Sequence, residues 1–154
     1  VTYASTMWKD YINVVFMGTN GNFSSVDDLI EQHNALLSRN ERNGDRFIVI
    51  GIYKLNDFQI KRDYGEDFFG RLETAMTEEY GDRYINLREY LTTDALSDAG
   101  IEPTERDLAE TEVGRVPPSL LAEDGLHLNS TGYGLLGDLV YERMDELGYF
   151  DKVK

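Results

Sequence analysis

Apolar residues in this chain fall into compact runs separated by stretches of helical spacing. Tyr11 to Met17 (YINVVFM) is a nearly continuous run, rich in β-branched residues, that stops at Gly18. Such a run predicts a strand buried on both faces, as in a parallel sheet. Ser24 and Ser25 then offer N-caps, with Asp27 and Asp28 in the first turn. Val26, Leu29, Ile30, His33, Leu36 and Leu37 recur at helical intervals and predict a helix from Val26 to Asn40. Arg42-Asn43-Gly44-Asp45 reads as a turn, and Arg46 to Tyr53 (RFIVIGIY) as a second buried strand. A second helix is expected over Asp63 to Tyr80, with Phe68, Phe69, Leu72, Ala75 and Met76 on one side and Gly81 past its end. Tyr84 to Leu87 reads as a short third strand. Ser97 to Pro118 is polar, with a short helix expected around Glu105 to Glu110, and a segment of this kind often serves as a lid or binding loop. The last helix is expected from Ser130 or Thr131, with Leu135, Leu136, Leu139, Val140, Met144 and Leu147 inward and Gly148 as its C-cap.

Alternating strands and helices imply an α/β fold: a three-layer α/β/α arrangement with a parallel sheet and right-handed crossovers. The 154 residues suit a single domain spanning 1–154. Sites in such sheets lie beyond the carboxyl ends of the strands. The loop Gly18-Thr19-Asn20-Gly21-Asn22 follows the first strand and so stands where chemistry is expected.

Composition narrows the options. A formal charge of −14 argues against nucleic acid or an anionic membrane surface as the main partner. No apolar run approaches the roughly 20 residues that cross a bilayer. With no cysteine, disulfides, thiolate metal sites and thiol nucleophiles are excluded.

Two histidines are present. His33 shares its helical face with Leu29, Ile30, Leu36 and Leu37, which predicts a partly buried helix histidine. His127 lies in Glu123-Asp124-Gly125-Leu126-His127-Leu128-Asn129, just before the last helix. An Asp three residues ahead, across a Gly, can accept from one ring nitrogen and leave the other free as a base. Equally, Asp124 can be a turn cap beside a His that merely packs there. Asn20 has two readings as well. It is either part of a tight βα turn or an amide aimed at a developing oxyanion.

Taken together, a strand ending in Gly18-Thr19-Asn20-Gly21, two αβ units, Asp124-Gly125-Leu126-His127 and the tail His127-Leu128-Asn129-Ser130-Thr131-Gly132-Tyr133 resemble the SGNH hydrolases, or GDSL-type esterases. The matching blocks of that family are Gly-x-Asn-Asp, Asp-x-x-His and an H-x-N-x-x-G-Y run. The resemblance spans roughly Tyr11 to Leu147. It implies a flavodoxin-like SGNH fold and a serine esterase without metal or cofactor. His127 would be the base, Asp124 its orienting carboxylate and Asn20 an oxyanion donor, with Gly18 and Thr19 in the substrate loop. Gly21 departs from the family, which usually has Asp there.

The larger departure is the nucleophile. The family's Gly-Asp-Ser block is missing, and none of Ser5, Ser24, Ser25, Ser38, Ser97, Ser119 and Ser130 stands in such a setting. The chain resembles the C-terminal part of the family's domain, with the N-terminal strands missing. The expected partners are an ester substrate and a Ser-bearing segment of the same precursor, or of a second chain, covering an exposed edge at Asn13–Met17. The alternative is a truncated chain dimerising through that edge. Substrates in the family include lipids, short acyl esters and O-acetyl groups on sugars; the polar, acidic segment Ala99 to Leu121 favours small acyl or O-acetyl esters, those on carbohydrate included. Secreted and cell-surface members are frequent. Competing readings are a non-catalytic binding or assembly module, a metal-dependent hydrolase using Asp124, His127 and Asp57, and a glycosidase with paired carboxylates.

Overall fold

In the computed structural model, residues 11–38, 46–55, 64–65 and 67–151 are described. The expected turn Arg42–Asp45, the far ends of the first two helices at Asn40 and Asp63, and Ser5 and Asp57 lie outside them. The chain is an α/β protein built on a three-stranded, wholly parallel sheet of order β1-β2-β3. The strands are β1 (Asn13–Val15), β2 (Phe47–Ile50) and β3 (Tyr84–Ile85). Among the described residues, six helices surround them: α1 (Val26–Leu37), α2 (Phe68–Tyr80), α3 (Leu87–Thr93), α4 (Ala95–Asp98), α5 (Glu105–Glu112) and α6 (Ser130–Glu146). None of the described helices is long and apolar enough to cross a membrane.

Strand alternation divides the core. Ile48 and Ile50 face a cluster that includes Leu87, Leu91, Leu120 and Leu136, built from α3, α4 and α6. Val49 and Val15 face the other way, onto Leu29, Phe68, Leu72 and Met76 of α1 and α2. Helices therefore cover both faces of β2, as its continuous FIVI run requires.

β1 departs from the expected strand over Tyr11–Met17 buried on both faces. It is three residues long and lies at the sheet edge, paired to β2 alone among the described residues. Val15 is buried, but Tyr11, Val14, Phe16 and Met17 are exposed, with no helix among the described residues on that side of the edge. The third strand, expected over Tyr84–Leu87, stops at Ile85. Leu87–Thr93 is helical, capped by the Asn86 side chain on the Glu89 N–H. Between Ser97 and Pro118 the short helix expected around Glu105–Glu110 is present as α5, whose capping box joins Thr104 and Asp107. Asp107 is fully buried and also accepts from the backbone N–H and hydroxyl of Ser119, 2.9 and 2.7 Å away. That carboxylate fastens α5 to the turn Pro118–Leu120, so the segment is packed and not a loose lid. The last helix starts at Ser130 as expected. Leu136 is buried and Leu135, Leu139, Val140, Met144 and Leu147 pack against the same cluster. Its C-cap is Leu147, and Gly148 follows with φ +65°.

His33 is fully buried on α1, its ring 6.3 Å from that of Tyr80. Neither ring nitrogen reaches a hydrogen-bond partner among the described residues. Burial holds its pKa below the ordinary value, opposed in part by the backbone of Met17. Burial would raise the pKa of Asp107, but the bonds from Thr104 and Ser119 outweigh it and hold the group at about 2. Both depressions have one sign: below the unfolded pKa, the unfolded chain takes up a proton that the folded chain refuses. Stability is therefore expected to fall in two steps as pH drops. The first begins below about 6.5 through His33, and the second runs from about 4 towards 2 through Asp107, with other carboxylates adding to it. Urea denaturation against pH should lose the first step in His33→Leu and show a smaller second step in Asp107→Asn. A first step unchanged in His33→Leu would contradict the assignment.

Candidate functional site

The loop after β1 owes its shape to glycine at its root. Gly18 has φ +113°, and a Cβ there would stand 2.6 Å from Ile52 Cδ1 and 3.3 Å from Leu29 Cδ1, so the chain passes directly over the core. The Gly21 N–H closes a turn onto the Gly18 carbonyl at 2.8 Å, which leaves Asn20 exposed at the tip. Gly21, where the resembled family has Asp, sits at φ +76° and serves the turn. Beyond the tip, Phe23 is buried against the rings of Tyr64 and Phe68. The Tyr64 hydroxyl donates to the Phe23 carbonyl at 3.0 Å, and the Gln32 amide donates to that of Asn22 at 3.1 Å. The loop is thereby tied at both ends to the core and to α1.

The second component is the tight turn from Ala122 to His127. Leu121 and Leu128 form an antiparallel bridge, and the Ala122 N–H donates to the His127 carbonyl at 2.8 Å. Asn129 sets where this turn meets α6. Its side-chain oxygen caps the helix through the Gly132 N–H at 3.0 Å, while its amide donates to the Ser119 carbonyl at 2.8 Å. Gly132 permits the approach: a Cβ on it would lie 2.8 Å from the Leu120 carbonyl oxygen. The Asn-x-x-Gly spacing thus has a mechanical reason, joining cap and close contact.

Within the turn, one oxygen of Asp124 (Oδ1) accepts the backbone N–H groups of Leu126 and His127 at 2.9 and 3.0 Å. The other (Oδ2) stands 2.6 Å from His127 Nδ1. These bonds, the one to the imidazole first, hold the Asp124 pKa down at about 2. An ionised carboxylate only accepts, so the Nδ1 atom carries the hydrogen, and in the neutral ring Nε2 is the nitrogen left with the lone pair. The arrangement is an Asp-oriented imidazole with a free basic nitrogen. Half of the Asp124 side chain and 61% of that of His127 remain open to solvent.

Residues distant in sequence meet at one cavity of about 390 Å³, lined by Gly18, Thr19, Asn20 and His127. Its wall also includes Tyr53 and Tyr133. Of the residues singled out in the sequence for chemistry, Gly18, Thr19, Asn20 and His127 line this cleft, Asp124 stands behind His127, His33 is in the core, and Asp57 lies outside the described residues. Tyr53 and Lys54, which follow β2, went unsingled. Their signal was position, since they leave the carboxyl end of the central strand, where sites in parallel sheets form. Among the described residues, no group of three metal-binding side chains stands together.

No family model, curated protein or solved structure matches this chain.

The role given to Gly132 is tested by contrast with Gly134, two residues on, where an added Cβ meets nothing within 4 Å. Gly132→Ala is expected to cost about 1–3 kcal/mol through strain against fixed backbone. Gly134→Ala should stabilise by about 0.5–1 kcal/mol through helix propensity. Equal denaturation midpoints for the two would contradict the account of this junction.

Proposed function

We propose that this chain supplies the base and an oxyanion donor to a serine esterase of the SGNH type, whose nucleophilic serine belongs to a segment outside residues 1–154. The carrying observation is the convergence of Asn20 and the Asp124-oriented His127 on one cleft at the strand ends. In the reaction, the serine hydroxyl attacks the ester carbonyl while His127 Nε2 takes its proton. The same nitrogen returns a proton to the leaving alcohol, and water repeats the sequence to release the acid. Asp124 keeps the imidazole oriented and stabilises its cationic form. The Asn20 amide donates to the tetrahedral oxyanion without changing charge, from a loop fixed at both ends. No metal or cofactor is required.

Two observations favour a covering segment. Among the described residues, β1 has no strand on its outer edge and Val14, Phe16 and Met17 are exposed, a surface that ordinarily invites pairing. The Asp124–His127 pair is half open to water, where its electrostatic effect is weakest. A parallel strand laid along β1 would end at the same cleft and shield it. The cleft's polar wall, with Thr19, Asn20, Asn22 and Gln32 among its residues, suits a small acyl or O-acetyl ester, with carbohydrate as the alcohol part, better than a long lipid chain.

The second reading, a binding or assembly module that keeps the fold without catalysis, is favoured by the missing Gly-Asp-Ser block. The two separate in an assay of chromogenic acetate ester hydrolysis by the native assembly containing this chain. His127→Ala is expected to abolish turnover. Asn20→Ala should lower kcat by about 10²-fold, corresponding to roughly 3 kcal/mol, with KM little changed. Undiminished rates in His127→Ala would favour the module.

A further inference from the structure

The Asp124 turn is exposed along its length, yet two buried or half-buried side chains from the sheet reach into it. Tyr53, 5% exposed, donates its hydroxyl to the Leu126 carbonyl at 3.0 Å. Lys54 places its ammonium 2.5 Å from the Gly125 carbonyl oxygen. Each contact has a counterpart on the opposite side of the same peptide unit. The Gly125 carbonyl and the Leu126 N–H belong to one planar amide, and the Leu126 carbonyl and the His127 N–H to the next. Asp124 Oδ1 holds both N–H groups, while Lys54 and Tyr53 hold the two carbonyl oxygens. Two consecutive peptide planes are therefore gripped at both ends. Rotation of either plane would swing an N–H away from the carboxylate and turn Asp124 off the imidazole.

The geometry points to Tyr53 and Lys54 as positioning residues that fix the tautomer and direction of the His127 imidazole through these two peptide planes. The assignment rests on the reading of Asp124 and His127 as a working pair. Burial, followed by the nearby Tyr133 hydroxyl, pushes the Tyr53 phenol up to about 12, against a backbone hydrogen bond with Leu128 that works the other way. Tyr53 thus stays a donor throughout the neutral range. Lys54 contributes a charge-assisted bond, and its half-exposed position lets it be replaced without opening the core.

Two-bond proton–nitrogen NMR spectra of the full chain, recorded with His127 neutral, distinguish a hydrogen on Nδ1 from one on Nε2. His33 gives a separate signal. The wild type is expected to show mainly the Nδ1–H form, and Asp124→Asn to lose it. Tyr53→Phe removes one oxygen and keeps the ring in the core. The ratio of Nδ1–H to Nε2–H should fall several-fold in Tyr53→Phe and in Lys54→Met, while amide protection at Ile48–Ile50 is retained. A side chain that only stabilised the fold would lower Tm without altering this ratio. If Asp124→Asn collapses the ratio while Tyr53→Phe and Lys54→Met leave it at the wild-type value, the positioning role is overturned and the pair stands. If Asp124→Asn itself keeps the wild-type ratio, the reading of the pair fails.

Discussion

One carboxylate organises the site. Asp124 accepts three hydrogen bonds, two from the backbone of its own turn and one from the His127 ring, and these bonds keep it ionised. An acceptor-only group at Nδ1 decides which nitrogen stays basic, and it does so in a turn with little burial to rely on. The rest of the fold serves to deliver this turn to the right place. The central strand β2 runs out beneath it, the Leu121–Leu128 bridge closes its neck, and Asn129 joins that neck to the first turn of α6. Across the cleft, Gly18 lets the first loop cross directly over Ile52, which brings Asn20 to the same cavity.

Much of this was legible from residues alone, for identifiable reasons. The FIVI run and its neighbours revealed a parallel sheet because a central strand covered on both faces has no room for polar alternation. The start of α6 was legible because Asn129 and Ser130 carry the chemistry of a cap. Asp124, His127 and Asn20 stood out only in combination, through their resemblance to the SGNH blocks, since each alone also reads as an ordinary turn residue. What stayed hidden depended on tertiary context. Residues 87–98 form two short helices held by packing of Leu87, Leu91 and Ala95, which local spacing does not announce. Asp107 looked like one acid among many, yet it is a buried cap with four hydrogen bonds spanning two elements. Tyr53 read as the last residue of a strand and Lys54 carried no reading, because their partners lie about 70 residues away.

The exposed edge of β1 and the open imidazole are the two features that sit least comfortably in an isolated domain. On the proposed reading, one neighbour laid along β1 accounts for both. A strand added in parallel beside β1 would satisfy the edge, bury Val14 and Phe16, and end beside the cleft. On the proposed reading, that neighbour also brings the hydroxyl that His127 activates, so structural completion and catalytic completion are one event.

Fluorophosphonate labelling of the native assembly, followed by peptide mass spectrometry, tests this division of labour most directly. The account predicts a single phosphonylated serine on the segment that covers β1, and none within residues 1–154. A label on one of this chain's own serines, or no label in material that hydrolyses esters, would contradict it.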